Sequence, residues 1–268
     1  MKYFSFIYCL FFLFLGTEAA SERPKIVSAS LCGDAYLLAL NADEQIIALS
    51  YLSKNTELSM IADRAQNFAT TSGSAEHILS LAPDIVIAHS FTPPHRLEIL
   101  RRAGIKLVVI EASRNMAQME EEAMAIGNAI GRTQEAKSWL HTMQKRIKKL
   151  EQEKRNISII HYQRRGLATG KLSYLNDLME KAGLTNLGAK NGTIERLGLE
   201  ALIRLSPDYI LFTSAQTPPQ DRGEALLHHP AIEKHFSQEQ RIYLPSSLFT
   251  CAGPFAAEAL ERLQQAIK

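Results

Sequence analysis

The chain has 268 residues, and its 30 lysines and arginines nearly balance 28 aspartates and glutamates, for a formal charge of +2. The one basic run, residues 144–155, reads as the solvated face of a helix, so nucleic-acid binding has no electrostatic footprint here. The length suits two lobes or one large domain.

In chain order, Met1-Lys2 gives a short positive start, residues 3–15 are almost entirely apolar, and small residues follow at 16–20. That is the order of a secretory signal. Cleavage is placed after Ala19, which puts Thr17 rather than Glu18 three residues before the cut. The apolar run of about 13 residues is short of the roughly 20 that cross a bilayer, and no later segment resembles a span. Bulky Tyr8 precedes Cys9, where a lipid-anchored chain carries a small residue. Cys32 and Cys251 remain after cleavage, and an oxidising compartment permits a disulfide between them.

From residue 24 onward, β-rich runs alternate with helical patterns. Strands are expected at 25–30, 46–50, 84–88 and 106–110, with helices at 34–40, 76–81 and 94–103. This alternation indicates βαβ units and a parallel sheet covered by helices. A long helix is expected over 132–155, which contains neither Gly nor Pro. Its apolar residues, from Ala136 through Trp139, Leu140, Met143 and Ile147 to Leu150, recur at spacings of three and four. Trp139 lies on that stripe and is read as core. The alternation then resumes, with strands at 156–162, 209–213 and 241–244 and helices at 175–182, 224–228 and 254–267.

The halves echo each other. Residues 76–90 align with 200–214, sharing Glu76/Glu200, Leu81/Leu205, Pro83/Pro207, Asp84/Asp208 and Ser90/Ser214 at identical offsets, 124 positions apart. An internal repeat is an architectural statement. The expected fold is α/β: two similar lobes, each a mainly parallel sheet covered by helices, joined by one long α-helix. The divisions fall at 1–19 (signal peptide), 20–131 (first lobe), 132–155 (linking helix) and 156–268 (second lobe).

This arrangement resembles the helix-linked class of periplasmic solute-binding proteins of ABC importers, which includes binders of vitamin B12, ferric siderophores and haem. Residues 26–31 and 34–42 are similar to that family's opening strand and helix. Residues 81–87 are similar to its signature of Leu, Pro-Asp and alternating apolar positions, 103–109 to the strand that follows, and 199–211 to the second-lobe counterpart. The resemblance implies a monomeric periplasmic protein with a small-molecule ligand, importer membrane subunits as partners, no catalysis and no resident cofactor. It also implies only a small hinge motion and a ligand held between the lobes, beyond the carboxyl ends of the strands.

Several loop residues are candidates for that cleft. Cys32 and Cys251 each precede a helix, and three readings stay open: buried small side chains, a covalent clasp between lobes, or contacts to ligand or metal. A disulfide across the cleft would resist opening. His89 is read as stacking, hydrogen-bonding or coordinating, against a solvated loop histidine. Tyr51 offers a flat face with a polar tip, against local loop packing. Tyr162, Arg164 and Arg165 lead into a glycine-rich turn, where arginines bind acidic groups bidentately. Lys171 and Tyr174 extend that surface, and Phe249 adds a further aromatic platform. His228, His229, Glu233 and His235 have metal-like spacing, but the resemblance reads them as a surface turn. It also places an acidic docking residue on each lobe: Glu98 on the first, where Pro94 or His95 holds the expected position, and Asp221 or Glu224 on the second.

The leading expectation is therefore capture of a metal chelate or related cofactor (ferric siderophore, cobalamin or haem-like), acidic if the arginine loop binds it. The alternatives are a bare transition-metal ion held by His89, Cys32 and Cys251, and a hydrolase with Cys32 as nucleophile.

Overall fold

A computed structural model describes residues 23–111, 115–213 and 221–267. The expected signal peptide, 1–19, lies outside these described residues.

The first lobe runs β1 (Ile26–Ser28), α1 (Leu31–Ala39), β2 (Ile46–Ser50), α2 (Ala62–Ala65), β3 (Thr70–Thr71), α3 (Ala75–Ser80), β4 (Ile85–His89), α4 (Pro94–Arg102) and β5 (Lys106–Ile110). Two helices follow, α5 (Met116–Ala129) and α6 (Thr133–Leu150). The second lobe comprises β6 (Ser158–Gln163), β7 (Leu167–Thr169), α7 (Tyr174–Lys181), β8 (Thr185–Asn186), β9 (Ile194–Arg196), α8 (Leu199–Leu205), β10 (Tyr209–Phe212), α9 (Arg222–Ala225), α10 (Pro230–His235), β11 (Arg241–Tyr243), α11 (Ser247–Thr250) and α12 (Ala256–Gln265).

In the first lobe the strand order is β3-β2-β1-β4-β5, all parallel. Its central strands read as unbroken apolar runs because helices cover both faces. Successive side chains point to opposite faces, so Ile26, Ile85 and Ile87 join one core while Val27 and Val86 join another with Ile78 and Leu100. The second sheet runs β11-β10-β6, with β8 parallel to the start of β6 and the antiparallel pair β7-β9 beside its end. The expected mainly parallel second sheet thus carries an antiparallel edge.

The repeat proves to be a structural unit. Ala82 (φ 46°) and Ser206 (φ 43°) adopt the left-handed conformation after α3 and α8, and the prolines that follow cannot continue a helix. The aspartates then reach sideways. Asp84 accepts the Lys25 backbone N–H at 2.7 Å, and Asp208 accepts that of Ser158, also at 2.7 Å. Each carboxylate therefore holds the backbone where the neighbouring strand starts, at the residue before β1 and at the first residue of β6.

The helices between the lobes differ from expectation. The linking helix ends at Leu150, not Arg155. Beyond it Gln152 N–H donates to Lys181 and Arg155 N–H to Gly183, so the chain pairs with the end of α7 instead of coiling further. Helix α5 was not expected at all, although Met116, Met119, Ala123 and Ile126 form its buried stripe.

The two lobes share a core. One apolar cluster takes in α1 and β1, the helices α5, α6, α7 and α12, and Ile159, Leu211 and Ile242 of the second sheet. After β11 the chain crosses back to the first lobe as a strap, residues 246–253. Ser246 Oγ donates to the Glu57 carbonyl at 3.1 Å, and Tyr36 Oη donates to Ala252 at 3.4 Å. Gly253 (φ 106°) has no substitute here, because a Cβ would collide with the Tyr36 hydroxyl. Cys32, at the start of α1, and Cys251 form a disulfide with Cα atoms 5.2 Å apart. Of the three readings of these cysteines the bond is the covalent one: it ties the strap, which follows β11 of the second lobe, to α1 of the first. It also removes the thiol that a Cys32 nucleophile or a thiolate ligand would need.

Protein lacking residues 1–19 should show no titratable thiol in denaturant until reduced. The Cys32→Ala/Cys251→Ala double variant should lose roughly 2–5 kcal/mol of unfolding free energy in urea, since the bond closes most of the chain.

Candidate functional site

A cavity of about 630 Å³ opens between the lobes at the carboxyl ends of their strands. Strand ends of both lobes and the strap contribute to it, with the second-lobe loops around Leu172 and Ile194. His89 to Phe91 and Glu111 end β4 and β5, His161 and Gln163 project from β6, and Phe249, Thr250 and Ala252 come from the strap.

His89 is the last residue of β4. Its Nδ1 accepts the Phe91 backbone N–H at 3.2 Å, and its ring stacks on Phe91 with centroids 4.5 Å apart. An acceptor Nδ1 places the proton of the neutral ring on Nε2. Burial lowers the His89 pKa, opposed by the negative charge of Glu111. In this arrangement His89 offers a flat face and an Nε2–H donor; a metal bond at Nε2 would require the Phe91 amide to let go of Nδ1.

Phe91 is 82% exposed, and Leu172 and Ile194 across the cavity are 50% and 56% exposed. Large apolar side chains held in water over a cavity mark a place where something apolar docks. The second-lobe wall is rigidly set. Gly170, Lys171 and Leu172 donate their backbone N–H groups to Thr193, Lys190 and Gly192, and a Cβ at Gly170 would run into the Gly192 carbonyl.

The cavity floor is polar but satisfied. His161 is buried, with Nδ1 2.7 Å from Thr169 Oγ1 and Nε2 3.1 Å from Thr213 Oγ1. Burial pushes its pKa down to about 4, so the ring is neutral at physiological pH. Glu122 Oε1 accepts the Glu111 backbone N–H at 3.1 Å. Tyr174 begins α7 and is only 6% exposed; burial pushes its pKa well above the usual phenol range, opposed by the Gly253 backbone amide. Below, Asp177 accepts the Met116 N–H at 3.0 Å, joining α7 to α5.

Of the residues singled out in the sequence, His89, Tyr174, Phe249 and Cys32 line this cavity, Cys32 as half of its disulfide. Cys251 is buried behind it. Tyr162 points the opposite way from His161, into the second-lobe core, because neighbouring strand residues face opposite sides. Tyr51 is exposed in a short 3₁₀ turn away from the cavity lining. Arg164 pairs with Asp221, and Arg165 (φ 62°) borders a separate shallow depression with Arg222, so the arginine loop stands outside the cleft. Lys171 is likewise absent from the lining.

His229 Nδ1 caps the start of α10 and His235 Nδ1 lies 2.8 Å from the Ala231 carbonyl, both local roles. Among the described residues no three His, Cys, Asp or Glu side chains group to hold a metal ion. Glu98 sits on α4 between Arg101 and Arg102, and Asp221 caps α9, whose first turn contains Glu224.

Phe91, Gln163, Leu172 and Ile194 were missed. Parity along β6 would have given Gln163 with His161, and the stretch after Gly170 carries an apolar Leu172 in a polar loop.

The model of the family described as periplasmic binding protein matches residues 26–244. An uncharacterized ABC transporter substrate-binding lipoprotein of Bacillus subtilis, YvrC, is 21% identical over 260 residues, covering 92% of this chain and 80% of its own. Two solved structures are similar in fold. A possible iron-binding (periplasmic solute-binding) protein from Staphylococcus epidermidis has a TM-score of 0.76 at 17% identity, covering 91% of this chain and 98% of its own. The periplasmic heme-binding protein HutB of Vibrio cholerae has a TM-score of 0.75 at 18% identity, with 90% and 98% coverage.

The His161 ring should titrate near pH 4 by NMR, below the ordinary 6.5. The unfolded chain then binds a proton that the folded one refuses, so stability falls as pH drops from about 6.5 toward 4. The His161→Gln variant should lose that part of the slope.

Proposed function

The chain belongs to the periplasmic binding protein family, and from that membership we propose that it captures a metal chelate or related cofactor in the inter-lobe cleft and delivers it to an ABC importer. The observation that carries this reading is the exposed Phe91, stacked on His89 and faced by Leu172 and Ile194 over a cavity of about 630 Å³. A hydrated ion gains nothing from such a surface. A siderophore complex, a corrinoid or a haem-like macrocycle buries it, and the volume suits a ligand of that size. The iron and heme named for the two structural relatives point the same way.

Export fits the same picture. The first residues read as a cleaved signal, the disulfide suits an oxidising compartment, and the chain would act there as a monomer. For docking on the importer we assign Glu98 after β4 and Asp221 with Glu224 after β10. The two sites follow corresponding strands of the repeat.

Thermal-shift screening against ferric siderophores, cobalamin and haem should give stabilisation with one of these classes. A shift with divalent ions alone would sink the reading. For the ligand found, Phe91→Ala should weaken binding about tenfold or more while changing the stability of the empty protein by less than about 0.5 kcal/mol.

A further inference from the structure

The strap is anchored firmly at both ends and lightly in the middle. Leu248 is buried in the shared core, Ser246 Oγ donates to the Glu57 carbonyl, and Ser247 Oγ lies 3.4 Å from Met60 Sδ. At the far end Gly253 sits against Tyr36, and Ala256 and Ala257 enter the same core. Between these anchors the hydrogen bonds stay local. The Phe249 and Thr250 N–H groups and the Thr250 hydroxyl all donate to the Ser246 carbonyl. Across to the first lobe, residues 249–252 are held by the disulfide and by one long hydrogen bond, from Tyr36 Oη to the Ala252 carbonyl at 3.4 Å.

This middle section is also the part that a ligand meets, because Phe249, Thr250 and Ala252 line the cavity. The two sulfurs differ in access. Cys251 is only 2% exposed, whereas Cys32 is half-buried and lines the cavity itself. A reagent that enters the empty cavity therefore meets the bond at Cys32, and a bound ligand covers it.

We propose that the Cys32–Cys251 bond is a redox latch on the ligand wall: a dithiol reduces it through the empty cavity, residues 249–252 loosen, and ligand affinity falls. The inference rests on the chelate-binding reading above and adds a control on that same site. One thiolate of the dithiol attacks Cys32 Sγ, the S–S bond breaks, and Cys251 leaves as a thiolate that takes up a proton. The second thiol then attacks the mixed disulfide and releases Cys32, which is protonated in turn. The dithiol has given up two electrons and two protons and has become a disulfide. Linkage makes the control reciprocal: whatever factor the closed bond adds to ligand affinity, the ligand adds to the stability of the bond. A tenfold factor corresponds to about 30 mV in its reduction potential.

The test reduces the folded protein with dithiothreitol, using gallium desferrioxamine B, cyanocobalamin and gallium protoporphyrin IX as probes that resist that reagent. Reduction of the empty protein should be proportional to dithiothreitol concentration and faster than global unfolding. Amides of 248–254 should then lose protection from hydrogen exchange while those of α6 and α12 keep theirs. The probe that binds should slow reduction roughly tenfold, and it should bind roughly tenfold more weakly to the reduced protein and to the Cys32→Ala/Cys251→Ala variant. A reduction rate independent of dithiothreitol, unchanged exchange in the strap, or equal affinity in the two redox states would overturn the latch and leave chelate binding standing. Binding of none of the probes to the oxidised protein would overturn the chelate reading and the ligand coupling with it, while release of the strap stands or falls on rate and exchange.

Discussion

The arrangement depends on one apolar core that does not respect the division into lobes. Each sheet has two apolar faces, and the faces turned toward the molecule's middle are buried against the same set of helices: α5, α6, α7 and α12. The two halves are therefore mounted on a common base. A cleft remains above it because polar strand ends, unlike the apolar strand centres, have no reason to close on each other. Hinge motion is limited by the same packing, since opening the lobes widely would expose Met116, Ile147, Leu175 and Leu260 to water at about 25 cal/mol for each Å² of apolar surface.

Much of this was legible before any coordinates. Alternating strand and helix patterns located the first-lobe elements other than the short α2 and β3, and the Pro-Asp repeat located the paired central strands. The repeat carried more than it showed on its face. The aspartates looked like turn residues, and only three dimensions show that each accepts an amide where a strand distant in sequence starts. Helix α5 escaped because its stripe of methionine and alanine is weakly apolar and begins just past a polar stretch. The end of α6 escaped because residues 151–155 have good helix propensity, and the backbone partners that stop it, Lys181 and Gly183, lie far along the chain.

The site was legible in part, and for physical reasons. His89 followed from its place at the end of a strand. Tyr162 missed the cavity by one residue, the smallest error the parity of a strand allows and enough to reverse the side chain's surroundings. The arginine loop misled more seriously. Two adjacent arginines suggest an anion, but composition does not reveal that Asp221 supplies one internally.

The strap has a consequence for how the molecule comes into being. Phe249, Thr250 and Ala252 complete a wall of the first lobe, yet they follow Cys32 by more than two hundred positions. A chain that emerges N-terminus first forms most of the first lobe with that wall missing, and Cys32 waits at the open edge as a lone thiol. The cavity is therefore complete only once residues 249–252 are in place, and the Cys32–Cys251 bond can form only then.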